Sequence, residues 1–215
     1  MTARQPVLIL GTRTLAVEVL DLISETADYE VSGFVENMDR SLCDGVLEGL
    51  PVHWVDDISS MAATHEAVCA LGTTKRFRFT EQVAELGFRF ATIVHPTARV
   101  SKRSTVGTGS IISAGVIVAT HSVLGEHVFV NRGALIGHHT SIGNHCSIMP
   151  GANIAGSCSI GARCYVGMGA VVTDHRTIGE ACVIGAGSVV TKDFPASVQV
   201  VGVPARIVRE DVDGR

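Results

Sequence analysis

The chain has 215 residues, enough for one large or two small domains with a buried core. It is 46% hydrophobic but only 5% aromatic and contains 23 glycines, so aliphatic side chains must fill the interior. The formal net charge of −4, with no run of Lys or Arg, argues against a nucleic-acid-binding protein.

The apolar segments predict a cytoplasmic protein with no membrane insertion. The run at residues 7–10 is too short for the hydrophobic region of a signal peptide, and no stretch approaches the ~18 apolar residues of a membrane span. The six cysteines include no C-x-x-C pair, so neither a zinc knuckle nor a redox dithiol is predicted.

The front of the chain alternates between strand and helix patterns. An apolar run at residues 7–10 precedes Gly11, helical spacing follows at residues 15–23, and a second apolar run lies at residues 31–35. Further strand and helix signals come at residues 51–55, 67–71, 80–86 and 88–94. This alternation predicts a small parallel α/β domain over residues 1–93, with a Rossmann-like half as the nearest template.

The turn after the first strand lacks the dinucleotide fingerprint. Gly11 is followed by Thr-Arg-Thr-Leu-Ala, without the second and third glycines, which argues against a dehydrogenase. Ligands of open parallel sheets bind at the carboxyl ends of the strands, where an acidic residue often holds a ribose or a base edge. Gly11, Glu36 and Asn37 are therefore candidate nucleotide contacts, and a solvated loop is the alternative.

Aliphatic residues then recur every six positions from residue 94 to residue 190, without exception over 17 positions. The residue two places earlier is small or β-branched from residue 104 to residue 188, except at Arg176, where a bulge is predicted. Because residues two apart in a strand share a face, each unit buries one large and one small side chain. Four cysteines occupy the small position and are interpreted as core residues.

The repeat ends near Phe194. The segment Val-Val-Gly-Val-Pro-Ala-Arg at residues 200–206 is expected to close the repeat, and residues 205–210 are predicted to begin a short capping helix. Residues 94–215 therefore form the second predicted domain.

The six-residue unit resembles the hexapeptide repeat of acyltransferases, in which an aliphatic residue precedes glycine and a small residue follows three positions later. In that family, three units form one triangular coil of 18 residues. The front domain, the segment Ile-Gly-His-His-Thr-Ser-Ile-Gly at residues 136–143 and the chain ending also resemble bacterial sugar O-/N-acyltransferases. These are related to UDP-amino-sugar N-acetyltransferases, GDP-perosamine N-acetyltransferase and sialic acid O-acetyltransferases. The implied fold is an α/β N-terminal Rossmann-like domain followed by a left-handed parallel β-helix.

The resemblance implies an acetyl-CoA-dependent N-acetyltransferase that acts on a nucleotide-linked amino sugar in bacterial surface polysaccharide or glycan biosynthesis. Members of the family form homotrimers with acetyl-CoA between neighbouring prisms, and their front domain holds the nucleotide sugar. The alternatives are a sugar O-acetyltransferase and, from another class, a non-catalytic trimeric scaffold that binds nucleotide sugars.

The resemblance also assigns site residues. The family's catalytic histidine matches His138, whose neutral imidazole could take a proton from the incoming amine or hydroxyl. The glycine amide that stabilises the oxyanion matches Gly156, which also belongs to the cofactor site. Since Gly156 follows His138 by 18 residues, the repeat itself places them one coil apart. Asn131 matches a family asparagine near the active site, and a plain turn residue is the alternative.

The expected cofactor site extends beyond Gly156. Met168 matches a position that lines the pantetheine channel, while Pro204 and Ala205 belong to the segment that packs on adenine. One departure from the family pattern is His139, which stands where Asp or Glu usually follows the catalytic histidine. The sequence leaves open whether a carboxylate of an adjacent subunit orients His138, whether the acceptor is a hydroxyl, or whether the enzyme is weakened.

Three histidines, His121, His139 and His175, share one column of the repeat. Solenoid carbonic anhydrases bind zinc through histidines that include a pair five residues apart, and no two of the nine histidines here have that separation. We therefore predict no metal site and interpret these histidines as exposed corner residues.

Overall fold

The computed structural model describes residues 4–215, which divide into two units. The first unit ends at residue 93 and omits residues 73–75. The second unit contains residues 94–215 together with residues 73–75, where the backbone N–H of Thr74 donates to the carbonyl of Arg215 at 2.8 Å. A short piece of the front segment therefore belongs structurally with the end of the chain.

The first unit is a six-stranded sheet with two α-helices, as the strand and helix patterns predicted. Its strands are β1 (Gln5–Leu10), β2 (Tyr29–Glu36), β3 (Val46–Leu47), β4 (Leu50–Trp54), β5 (Glu66–Cys69) and β6 (Arg89–Phe90). Its helices are α1 (Thr14–Ser24) and α2 (Phe77–Glu85), and short 3₁₀ turns lie at Arg40–Asp44, Val55–Asp57, Ser59–Met61 and Thr74–Arg76. The strand order is β3-β4-β2-β1-β5-β6, and only the β3–β4 pair is antiparallel.

Strand β1 lies near the centre of this sheet, and residues 7–10 are completely buried. A central parallel strand is covered on both faces, which explains why its sequence is a continuous apolar run. Helix α1 buries one apolar side, formed by Ala16, Val19, Leu22 and Ile23. Neither helix within residues 4–215 has the length and apolar character that a membrane span requires.

The second unit is a three-sided prism built from two-residue strands. These are β7 (Ile93–Val94), β8 (Arg99–Val100), β9 (Thr105–Val106), β10 (Ile111–Ile112), β11 (Ile117–Val118), β12 (Val123–Leu124), β13 (Phe129–Val130), β14 (Leu135–Ile136), β15 (Ser141–Ile142), β16 (Ser147–Ile148), β17 (Asn153–Ile154), β18 (Ser159–Ile160), β19 (Tyr165–Val166), β20 (Val171–Val172), β21 (Thr177–Ile178), β22 (Val183–Ile184) and β23 (Val189–Val190). Strands 18 residues apart pair in parallel, so the predicted left-handed parallel β-helix is confirmed.

The prism has three faces, A, B and C. Face A contains β7, β10, β13, β16, β19 and β22; face B contains β8, β11, β14, β17, β20 and β23; face C contains β9, β12, β15, β18 and β21. The chain runs from face A to face B to face C, and four-residue turns form the A/B, B/C and C/A corners. Residues 18 apart therefore occupy the same corner in successive coils.

The interior is filled as the repeat predicted. The aliphatic position of each strand from Ile112 to Val190 is at most 2% exposed. In the small position, Cys146, Cys164 and Cys182 stack one coil apart, and each thiol donates to a backbone carbonyl at 3.0–3.1 Å. All three are completely buried thiols, which confirms that they are core residues.

The bulge predicted at Arg176 is wrong. Strand β21, which begins directly after Arg176, pairs in register with β18, and the carbonyl of Arg176 accepts the N–H of Ser159 at 2.8 Å. The Arg176 guanidinium lies 3.3 Å from the carboxylate of Asp193. The physical reason is the shorter last coil, in which Ile178 bridges to Phe194, only 16 residues later. This shortening brings Asp193 beside the guanidinium, so the charge is paired without distortion of the strand.

The capping helix predicted for residues 205–210 is also wrong. Strand β24 (Gln199–Gly202) extends face A beside β22, and β25 (Ala205–Arg209) pairs antiparallel with β24. The chain reverses at Val203-Pro204, where the peptide bond is cis. A hairpin forms because the open edge of face A has unpaired backbone N–H and C=O groups. A further strand can pair with these groups, whereas the backbone groups of a helix are already bonded within the helix.

Replacing Gly143 by Ala should strongly destabilise the prism. A Cβ at Gly143 would lie 2.5 Å from the backbone nitrogen of Ala162 in the next coil, so the coils would have to separate. We expect a loss of at least about 3 kcal/mol in the free energy of unfolding. Gly133 is the control, because a Cβ there meets no atom within 4 Å and its φ of 68° costs Ala only about 1–2 kcal/mol. Equal losses in chemical denaturation would contradict this account of coil spacing.

Candidate active site

The B/C corner brings His138 against Gly156 of the next coil. The backbone N–H of Ser157 donates to the carbonyl of His138 at 2.7 Å, which joins the two turns. A Cβ on Gly156 would lie 2.6 Å from Cε1 and 2.7 Å from Nε2 of the His138 ring. Only glycine therefore leaves room for the imidazole in this position, and the His138 side chain remains exposed to solvent.

The peptide nitrogen of Gly156 differs from its neighbours in its hydrogen bonding. The N–H groups of its two neighbours are both paired: Ala155 donates to the carbonyl of Val172 at 2.9 Å, and Ser157 donates to the carbonyl of His138. The N–H of Gly156 donates to no group in the part of the chain that the structure describes. An unpaired N–H beside an imidazole can stabilise a developing oxyanion while the ring accepts a proton.

His139 contacts the other nitrogen of the His138 ring. The two Nδ1 atoms are 3.1 Å apart, a hydrogen-bond distance, and the rings meet edge to face at 83°. The ring of His139 also stacks on His121 of the preceding coil, with centroids 4.9 Å apart. The sequence had left open which group orients His138, and the side-chain group at its Nδ1 is the imidazole of His139.

Asn131 and Met168 lie on the A/B corner, so a single chain does not bring them together with His138. The Asn131 side chain is buried, and its Oδ1 accepts the backbone N–H of Arg132 at 2.7 Å, which is a turn-stabilising contact. Met168 is 56% exposed. The width of face B separates these two residues from the B/C corner.

A cavity of about 640 Å³ lies beside the A/B corner in the second unit. Its lining includes Met168 together with Gly167 and Gly185. Lys75, Arg209 and Arg215 contribute positive charge, and Asp211 and Asp213 also line the cavity. Of the predicted cofactor residues, Met168 lines this space, while Gly156, Pro204 and Ala205 do not.

Pro204 and Ala205 lie in the hairpin between β24 and β25. Pro204 is exposed at the reversal of the chain, and Ala205 is buried under the last coil. Of these two predicted adenine contacts, only Pro204 therefore lies on the surface of the hairpin.

The first unit brings Gly11 and Glu36 together at the carboxyl ends of β1 and β2. The N–H of Gly11 donates to Val35 at 2.9 Å, and the Glu36 carboxylate accepts the hydroxyl of Thr12. The same carboxylate accepts backbone N–H groups of residues 37, 38 and 39 at 3.0, 2.8 and 3.4 Å. Asn37 donates through Nδ2 to Gln82 at 3.0 Å. Glu36 thus organises the loop after β2, a task that its position in the sequence did not reveal.

These hydrogen bonds determine the acidity of Glu36. Burial would raise the pKa of its carboxyl, but the hydrogen bonds from Thr12 and from the three amides outweigh burial and hold the pKa below its ordinary value. The side chain is therefore an ionised carboxylate whose charge is held by local donors.

No group of three or more His, Cys, Asp or Glu side chains within residues 4–215 is arranged to hold a metal ion.

Comparison with known proteins decides the family. Residues 121–156, 139–174 and 157–192 match the family model described as bacterial transferase hexapeptide (six repeats). None of the curated proteins matches the sequence. Among solved structures, PerB from Caulobacter crescentus, in complex with CoA and GDP-perosamine, is 31% identical. The match covers 96% of this chain and 99% of that chain, with a TM-score of 0.84. The chain belongs to the bacterial sugar acyltransferase family.

A second relative of this acyltransferase is the acetyltransferase domain of PglB from Neisseria gonorrhoeae FA1090. It is 28% identical with a TM-score of 0.87, and the match covers 95% of this chain and 100% of that domain. The same domain has also been solved in complex with acetyl coenzyme A. Both units of the acyltransferase are therefore shared with these relatives, since each match spans nearly the whole chain.

Replacing Glu36 by Gln should destabilise the first unit of the acyltransferase in a pH-dependent way. Because the pKa of Glu36 is lower in the folded chain, the carboxylate contributes stability above its unfolded pKa of about 4.3, and this is lost as the pH falls through the folded pKa. We expect a loss of about 1–3 kcal/mol at pH 7 that shrinks below pH ~4. Fluorescence of Trp54, the single tryptophan and the neighbour of Glu36 across β2 and β4, follows unfolding.

The control for this experiment is Glu30→Gln, because Glu30 is an exposed glutamate on the same strand. A loss in Glu36→Gln that stays constant between pH 7 and pH 3, or an equal loss in Glu30→Gln, would contradict the assigned role.

Proposed function

We propose that this acyltransferase transfers the acetyl group of acetyl-CoA directly to the amino group of a nucleotide-linked sugar, with His138 as general base. The observation that carries the proposal is the B/C corner, where an exposed imidazole adjoins a glycine whose N–H has no hydrogen-bond partner among residues 4–215. The product would serve bacterial surface polysaccharide or glycan biosynthesis. A cytoplasmic location is part of the proposal, because acetyl-CoA is a cytoplasmic metabolite.

The chemistry requires one base and one oxyanion donor. As the sugar nitrogen attacks the thioester carbonyl, His138 Nε2 takes a proton from that nitrogen and the carbonyl electrons move onto oxygen. The Gly156 N–H donates to this oxyanion. When the tetrahedral intermediate collapses, the carbon–sulfur bond breaks and the CoA thiolate receives the proton from His138.

The relatives support the choice of donor and acceptor. PerB was solved with CoA and GDP-perosamine, and a mutant of perosamine N-acetyltransferase from Caulobacter crescentus was solved with the same two ligands. The acetyltransferase domain of PglB was solved with acetyl coenzyme A. We carry over the N-linked reaction and the nucleotide-sugar class of acceptor to this chain, and propose Gly11, Glu36 and Asn37 as the edge of the nucleotide site.

The cavity beside the A/B corner suits part of acetyl-CoA. Met168 offers apolar surface to an extended pantetheine arm, and no side chain projects from Gly167 or Gly185 beside it. Lys75, Arg209 and Arg215 provide cations for phosphate groups. Pro204 is proposed to border the adenine, with the buried Ala205 packed beneath it.

The position of these groups favours a site shared between copies of the chain. Face B separates the A/B corner from the B/C corner and carries exposed apolar residues, with Ile117 and Leu135 at 44% and 39% exposure. If face B turns toward a threefold axis, the B/C corner of one prism meets the A/B corner of the next. Met168 and Asn131 of one copy would then lie beside His138 of its neighbour in a homotrimer.

His138→Ala should lower kcat for acetyl transfer by about 10²-fold or more, because the amine proton loses its acceptor. Release of CoA, detected with a thiol reagent, is measured with acetyl-CoA and a panel of UDP-, GDP- and TDP-amino sugars. The control is His175→Ala, an exposed histidine of the same corner column as His139. Unchanged turnover in His138→Ala would reject the role, and absence of CoA release from the wild type with every acceptor would favour a non-catalytic scaffold.

The double variant Ile117→Glu with Leu135→Glu should yield monomers of 22.6 kDa in place of trimers, because it places charges on face B. Acetyl transfer should be lost although His138 and Gly156 are unaltered. Val123→Glu is the control, since Val123 is 54% exposed on face C. Sedimentation velocity gives the mass, and a fully trimeric, active double variant would contradict the shared site.

A further inference from the structure

The imidazole of His139 occupies the place at which a general base of this kind needs a hydrogen-bond acceptor. For Nε2 of His138 to accept a proton, the proton of the neutral ring must sit on Nδ1. The atom within hydrogen-bond distance of that Nδ1 is Nδ1 of His139, at 3.1 Å. A carboxylate in this position would accept the bond, and a neutral imidazole can accept it as well.

We propose that His139 is the positioning residue of this acyltransferase, accepting the Nδ1–H of His138 and thereby holding Nε2 as the proton acceptor. The inference rests on the proposed function of His138. His139 itself touches neither the acetyl group nor the amine in this scheme and acts only through the neighbouring ring.

The structure holds His139 firmly enough for this task. Its backbone has a φ of 55°, and its N–H donates to the carbonyl of Thr120 at 3.0 Å. Its ring stacks on His121 at 13° between the planes, and Nδ1 of His121 is in turn 2.9 Å from the Thr120 hydroxyl. The position of the His139 ring is therefore fixed by contacts with Thr120 and His121 of the preceding coil.

The neighbourhood of His139 contains few charges. The titratable groups against its ring are His138 and His121, and the next coil places the uncharged Ser157 at the same turn position. The carboxylate of Asp174 shares the column of His138 two coils away, beyond Gly156, where it lies 3.7 Å from His175. Which of the two imidazoles donates the Nδ1–Nδ1 hydrogen bond is thus set mainly by the protons on the two rings.

The donor and acceptor of the hydrogen bond between the two Nδ1 atoms exchange roles when His139 carries an additional proton. A protonated His139 donates from its Nδ1, so His138 must accept there and carry its own proton on Nε2. That tautomer has no lone pair directed at the substrate amine. A fixed carboxylate cannot reverse the bond in this way, so the histidine pair makes the base sensitive to the protonation of its neighbour.

Three substitutions of His139 separate acceptance of the bond from a merely structural role. Gly and Asn both tolerate the backbone geometry of residue 139, but only Asn retains an acceptor. His139→Gly should lower kcat about tenfold or more, and His139→Asn should recover part of that loss. His139→Asp should be active, because its carboxylate can also accept the Nδ1–H of His138. His175→Gly, with a φ of 58° on the same corner, is the matched control and should not change kcat.

The ring protons themselves can be observed in the free enzyme. Nitrogen-15 NMR of protein labelled at histidine distinguishes Nδ1–H from Nε2–H, and the signal of His138 is assigned by its disappearance in His138→Asn. We expect Nδ1–H in the neutral wild type and a shift toward Nε2–H in His139→Gly. The same tautomer population in both proteins, or equal activity of His139→Gly and His139→Asn, would overturn the proposal.

These readouts keep the two proposals distinct. If no acceptor is acetylated by the wild type, the proposed function fails, whereas the NMR comparison still decides whether His139 sets the tautomer of His138. If turnover depends on His138 but the tautomer is unaffected by residue 139, the function stands and the positioning role is rejected.

Discussion

The site depends on one constraint, the spacing of about 4.8 Å between parallel strands stacked in register. Because each coil contains 18 residues, a side chain at one corner meets the residue 18 positions later, and no loop is needed to bring the two together. At the B/C corner this spacing is filled by an imidazole lying over a glycine. Gly137, the residue before His138, packs directly against the backbone of Gly156 in the next coil. The spacing between coils therefore sets the geometry of the site.

Much of the prism and of the B/C corner could be predicted from the sequence, because a strict six-residue period restricts where strands and turns can lie. The six-residue series identified the strands, the small position explained the buried cysteines, and the 18-residue separation placed His138 one coil from Gly156. The front sheet was also predictable, since continuous apolar runs such as residues 7–10 are typical of central parallel strands.

What the sequence could not give depends on breaks in the period or on side-chain geometry. Asp193 meets Arg176 only because the last coil is shorter, and the chain ends in a hairpin because face A leaves an open edge. The contact between His138 and His139 requires particular rotamers of adjacent residues. In the same way, the carboxylate of Glu36 turned toward its own loop, which only the backbone conformation after β2 could reveal.

The most direct test of the account is a crystal structure of the protein with acetyl-CoA. The account predicts the thioester carbonyl oxygen within about 3 Å of the Gly156 nitrogen, with Nε2 of His138 facing the carbonyl carbon and the pantetheine arm passing Met168 of an adjacent copy. An acetyl group bound at another corner of the prism, or a Gly156 N–H directed away from it, would contradict the account.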